Sequence, residues 1–175
     1  MASMDVMIRS FNAYRAKRFG YRLTPADGLI LLRSLLHTHT ELQFSHRYAN
    51  ISFSATLADG ANGCRFKDIK YSHTVFWDTI VVPMTDSQED TAYAEAKAID
   101  GQPYDDIGLA SFVSRAEMIK PRKGFWWCTE AVVHCVKRIY PGLPLVPDQT
   151  HPTWADTVCR WYFGQFERYG ICLNG

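Results

Sequence analysis

The sequence predicts an α+β fold in which an antiparallel sheet packs against helices. Three observations carry that expectation. Residues 38–82 alternate apolar and polar side chains in short runs broken by turn residues. Residues 84–166 change to helical spacing. The strands and the helices come in separate blocks, unlike the interleaved order of a βαβ chain. With 175 residues, one domain over 1–175 is expected. It divides into an N-terminal helix (1–20), a strand-rich part (24–83) and a helical part (84–175).

The elements follow in order. Val6, Ile8, Phe11 and Tyr14 fall loosely at helical spacing, so residues 4–18 are expected to form an amphipathic helix ended by Gly20. Residues 24–28 (Thr-Pro-Ala-Asp-Gly) read as a turn, and the apolar run Leu29 to Leu32 as a buried strand. Over 38–44, His39, Glu41 and Gln43 point one way and Leu42 and Phe44 the other, which is a strand with one polar face. Ile51 to Leu57 repeats the pattern with Ser52, Ser54 and Thr56 on its polar face. Asp59-Gly60 and Asn62-Gly63 signal turns. Cys64 to Ile69 and Val75 to Val82 read as two further strands.

Helices begin after Pro83. Ser87 with Asp90 three residues on resembles a capping box, and the helix runs to Gly101. Asp106 to Met118 is expected to be helical, and Pro121 to Gly124 interrupts the chain. Cys128, Ala131, Val132, Cys135, Val136 and Ile139 then lie on one stripe of a helix over 128–139. A proline-rich loop (141–152) and a last helix (153–166) complete the chain.

Composition narrows the function classes. Hydrophobic residues make up 47% and charged residues 21%, the balance of a folded domain and not of a disordered tail. Net charge is +1 and the basic residues are scattered, so no nucleic-acid partner is expected. The densest group, residues 15–18, reads as the solvated end of the first helix. Residues 1–11 lack a secretory apolar run and no stretch suits a membrane span, so synthesis in the cytoplasm is expected. Five cysteines without a C-x-x-C pair fit reduced thiols better than a disulfide framework or zinc ribbon. His37 and His39 would make half a metal site, but further ligands at recognisable spacing are missing. No metal and no cofactor is expected.

Chemistry centres on Cys128, at the expected N-terminus of the 128–139 helix. There the helix dipole favours the thiolate, which is the nucleophilic form. First-turn N–H groups, with Thr129 next in sequence, offer an oxyanion site. The same stripe also suits a core cysteine. A base is needed, and His39 or His37 on the polar strand face supplies one. The group that orients it is open between Ser52, Ser54 and Glu41. An acid two residues along a strand lies about 6–7 Å away, so a direct bond from Glu41 looks strained.

Residues 38–44, 52–54 and 63–69 resemble the histidine half of the permuted NlpC-type papain-like hydrolases. Residues 102–105 and 125–132 resemble their nucleophile half, with Thr129 where many members carry serine. The likeness spans about residues 24–160. It implies a circularly permuted papain-like fold, a half-barrel against helices, with Cys128 as nucleophile and His39 as base. The family's third polar residue comes from the strand after the histidine, which points to Ser52 or Ser54. Tyr104, Trp126 and Trp127 become candidate walls of a substrate cleft. The implied substrates are peptides or acyl groups, peptidoglycan amides among them. Chains of this kind are frequent in bacteria and their viruses, which extends the expectation to phage tail proteins as partners and the virion as a location. A silent scaffold that serves assembly, docking through its aromatic side chains and the 141–152 loop, is the alternative class.

Overall fold

A computed structural model describes residues 5–23, 25–34, 36–57, 60–68, 71, 74–114 and 122–165. The architecture is α+β: one five-stranded antiparallel sheet with helices. The strands are β1 (Val6–Asn12), β2 (His37–Gln43), β3 (Ser52–Thr56), β4 (Gly63–Lys67) and β5 (Trp77–Val82), in the spatial order β4-β3-β2-β1-β5. The helices are α1 (Ala13–Arg18), α2 (Pro25–Ser34), α3 (Asp86–Ile99), α4 (Asp106–Ser114), α5 (Cys128–Ile139) and α6 (Pro152–Tyr162).

Two expected stretches are corrected. The first segment is a strand followed by a short helix, because Val6, Ile8, Ser10 and Asn12 are buried on one face while Met7, Arg9 and Phe11 take the other. A period of two accounts for Val6 and Ile8 better than a helical one. Pro25 to Gly28, expected as a turn, and Leu29 to Leu32, expected as a strand, both lie inside helix α2, which opens on Pro25, a residue well suited to a first helical position. A short apolar run does not distinguish a buried strand from a buried helix.

The other elements differ mainly at their ends. The strand expected from Val75 begins at Trp77, after a 3-10 turn over Thr74–Phe76. Helix α3 starts earlier than expected. Its cap is Thr85, and Gln88 completes the capping box. Gln88 returns the bond better than Asp90 could because its longer amide reaches the cap N–H. Helix α5 has the bounds expected, and α6 starts one residue early, at Pro152 after a His151 cap. The turn residue Asp59 and the stretch Arg115 to Met118 of the expected helix lie outside the described residues.

Register fixes the two faces of the sheet. Ile8 pairs with Leu42 and Ile80, and Phe53 pairs with Leu42 and Phe66. This face and the helices enclose the core, where Ile8, Leu42, Phe53, Ile80, Val132 and Val136 are all buried. Helix α5 lies across β2 and β3, and α3 packs on α5. Helix α6 packs on β1, β2 and β5. No helix among the described residues is long and apolar enough to cross a membrane. Cys64, Cys128, Cys135 and Cys159 are free thiols, all buried.

Candidate active site at the N-terminus of α5

The segment before α5 is anchored from both sides. Trp126 N–H donates to the Pro103 carbonyl (3.0 Å) and Asp105 N–H to the Trp126 carbonyl (3.1 Å). The buried Asp105 carboxylate accepts from Arg122 Nε (3.1 Å), Arg122 N–H (3.1 Å) and Gly108 N–H (2.9 Å). The two stretches that resemble a nucleophile half, 102–105 and 125–128, are therefore held side by side. Trp127 caps α5 and Cys128 is its first residue. Glu130, three residues after the cap, accepts the Trp127 N–H at 3.4 Å. Inside the helix, the N–H groups of Cys128, Thr129 and Glu130 have no carbonyl to meet.

Cys128 meets β2 where the sheet parts. β2 and β3 pair only at Leu42↔Phe53 and Gln43↔Ser52. Beyond that point the Ser54 hydroxyl, not a backbone N–H, donates to the Thr40 carbonyl at 2.6 Å. The Thr40 backbone N–H, on the same strand, lies close enough to the Cys128 sulfur to favour its thiolate. Thr129 Oγ1 lies 3.7 Å from the sulfur and 3.3 Å from Thr40 Oγ1.

His39 faces Cys128 from β2, close enough for each to shift the other's ionisation. His39 Nε2 also lies 3.1 Å from Glu41 Oε1. With Nε2 committed to Glu41, Nδ1 is the nitrogen left for the sulfur. Glu41 is buried (2% exposed), yet both oxygens are served. Tyr71 Oη donates to Oε2 at 2.8 Å, and the Arg65 guanidinium lies 3.8 Å from Oε1.

The charges support each other. Burial pushes the Cys128 thiol up, but the His39 hydrogen bond and charge, the Thr129 hydroxyl and the Thr40 N–H outweigh it, and the net direction is down from 9.0. Burial pushes His39 down, but its bonds to Cys128 and Glu41 and their charges carry it from 6.5 up to about 10. Both shifts run in the direction of a thiolate beside an imidazolium. Burial pushes the other described thiols the opposite way: Cys64 and Cys159 rise to about 12 and Cys135 rises further.

The sequence candidates separate in space. Cys128, His39, Glu41 and Thr129 come together. Ser54 ties the strand parting and Ser52 bonds Tyr71 Oη (2.6 Å), so neither is bonded to His39. Both serines are fully buried and not solvated, as is Glu41, because Tyr71 lies over the polar face. His37 is not on the face of His39. A register shift at Phe11/Asn12 turns it toward Asp78, at 2.7 Å from Nε2. The two imidazoles therefore part and do not form a shared metal site. Tyr104 is buried near Cys128, and burial, then the Cys128 and Asp105 charges, hold its hydroxyl well above the ordinary range. Trp126 is half-buried with its indole N–H on Gln102, whereas Trp127 is 1% exposed and belongs to the core. Trp127 thus has no face to offer a substrate.

Sequence reading missed Tyr71, Arg65 and the Thr40 N–H. Arg65 had a signal, since it alternates with Cys64 and Phe66 on β4. Tyr71 lies between strands in no periodic pattern and had none. No family model, curated protein or solved structure matches the chain.

Proposed function

We propose that the chain is a cysteine hydrolase that cleaves an amide or ester through a thioacyl intermediate. One observation carries the reading: Cys128, His39 and Glu41 stand in series, with His39 bonded to Glu41 and placed where it and Cys128 act on each other, so that the thiol is pulled down and the imidazole up. A cysteine kept only for packing has no need of an imidazole beside it that is held by a buried carboxylate.

The steps balance. The Cys128 thiolate adds to the carbonyl carbon, forming a C–S bond and an oxyanion. First-turn N–H groups at Cys128 and Thr129 stabilise that oxyanion. His39 gives its proton to the leaving nitrogen or oxygen as that bond breaks. Neutral His39 then takes a proton from water, and the hydroxide displaces the thiolate and releases the acid. Glu41 holds His39 in orientation and stabilises its charge, as the carboxylate of a triad does.

p-Nitrophenyl acetate with intact-mass spectrometry tests this. A burst of p-nitrophenol, with one acetyl group added at Cys128, is the expected result. Cys128→Ala abolishes both, and His39→Ala slows acylation by about 10²-fold or more. Acetyl found elsewhere, or a burst unchanged in Cys128→Ala, would sink the reading. A second reading, a silent papain-like scaffold serving an assembly such as a phage tail, is favoured by the 1% exposure of Cys128. Its signature is a folded wild type that gains no acyl group.

A further inference from the structure

A belt of aromatic side chains leads from the surface to His39. Phe19 is the most exposed of them, at 68%, and Tyr21 is half exposed; Tyr14, on α1, is exposed as well. Ring contacts run from Phe19 to Phe76 (6.0 Å), Phe76 to Phe11 (6.5 Å), Phe11 to Trp77 (5.3 Å) and Trp77 to His39 (6.3 Å). Tyr21 closes on both Phe11 and Phe76. Val75, also exposed, is tied beside α1 by Arg15, which donates to its carbonyl at 2.8 Å. Large apolar side chains clustered this way at a surface mark a contact site.

Charge defines the partner. Between Val6 and Pro25 the chain has five Arg or Lys residues and no Asp or Glu. Lys17, Arg18 and Arg22 are exposed, and none of them has a carboxylate partner among the described residues. These cations surround Phe19 and Tyr21 in sequence. Basic side chains interleaved with protruding aromatic ones suit an anionic lipid surface. The cations meet headgroups and the rings enter the boundary with the acyl chains. A nucleic acid fits less well, because three free cations neutralise few phosphates.

We infer that the α1 face, built on Tyr14, Phe19, Tyr21 and Val75 with Lys17, Arg18 and Arg22, docks the protein on an anionic bilayer with the His39 end of the candidate site toward the lipid. The inference does not rest on Cys128 being catalytic. Cys128→Ala binds as the wild type does.

Co-sedimentation of the full chain with vesicles tests it, using phosphatidylcholine alone and phosphatidylcholine mixed with phosphatidylserine. Binding is expected only to the mixed vesicles and falls with salt. Charge reversal in Lys17→Glu/Arg18→Glu lowers it about tenfold or more. Phe19→Ala weakens it, and a Phe19→Trp probe shifts its fluorescence to the blue on mixed vesicles. All of these positions are exposed, and circular dichroism checks that each variant folds. Equal binding to both vesicles, no binding, or no effect of Phe19→Ala would overturn the inference. So would a dimer in light scattering that Phe19→Asp dissociates, since a second copy then covers the face. Retention of single-stranded oligonucleotide in place of vesicles, lost in the charge-reversal variant, would also overturn it.

Discussion

At the scale of single residues, the central question is how a buried thiol comes to have a lowered pKa. Desolvation alone would hold Cys128 above 9.0, as it holds Cys64 and Cys159 at about 12. His39 reverses the sign, and Cys128 and then Glu41 raise His39 in turn. Iodoacetamide labelling read by mass spectrometry should therefore modify Cys128 near neutral pH while Cys64, Cys135 and Cys159 stay unlabelled in the native protein. Glu41→Gln keeps the shape but removes the charge, so His39 loses its proton at lower pH and the Cys128 labelling profile moves up in pH. Acyl transfer should fall by about 10²-fold. A labelling profile that does not move would show that Glu41 is only packing. Glu41 was among the open sequence candidates, and its distance along an extended strand argued against it. The side chains close that distance to 3.1 Å, with Tyr71 and Arg65 holding the carboxylate from its other side. Tertiary partners of that kind leave no periodic trace, and so this part of the site was not legible.

At the scale of elements, legibility followed how one-sided each segment is. Helix α5 buries one stripe and has sharp ends, so its bounds were readable from spacing. Strand β2 alternates cleanly, and its polar face was assigned correctly from residue 39 onward, but a register shift against β1 put His37 on the other face. β1 and α2 were misread because one alternates with polar residues buried among apolar ones and the other shows a short run without a period. Gly63 shows how closely two elements depend on one another. Its φ is +139°, and a side chain there would enter the Gln102 carbonyl. That closeness lets Cys64 N–H bond the Gln102 carbonyl at 2.8 Å and Gly101 N–H bond the Cys64 carbonyl at 2.9 Å, which sets the path into Tyr104. Gly63→Ala should cost about 1–3 kcal/mol in denaturant unfolding. It should also slow Cys128 acylation, because the displaced 102–104 stretch is paired with the segment that leads into the nucleophile. Unchanged stability would mean that the backbone yields without strain.

At the scale of the whole molecule, helix ends and buried charges set how stability depends on pH. Glu130 is 8% exposed, and burial, then the nearby charges of Asp105 and Asp148, raise its carboxyl from 4.5 to about 7, with the Trp127 N–H opposing. A raised folded value means that the folded state binds the proton more tightly than the unfolded chain does. Stability is therefore lost as pH rises from 4.5 through about 7. His39 has the same sign in a later window, with its contribution full below 6.5 and lost as pH rises through about 10. Cys128 has the opposite sign: its lowered value supplies stability above 9.0 that is lost as pH falls through the folded value. Those two partly cancel, so the acid window isolates Glu130. Glu130→Gln keeps an oxygen for the Trp127 N–H and removes the ionisation. It should be more stable than the wild type by about 1–2 kcal/mol on the alkaline side of Glu130's window and nearly equal to it below 4.5. Urea unfolding of both proteins across that range checks this. A constant difference at every pH would mean that the gain comes from packing. A loss at high pH would mean that the ionised carboxylate, stabilised by the free N–H groups of the α5 N-terminus, contributes more than its burial costs.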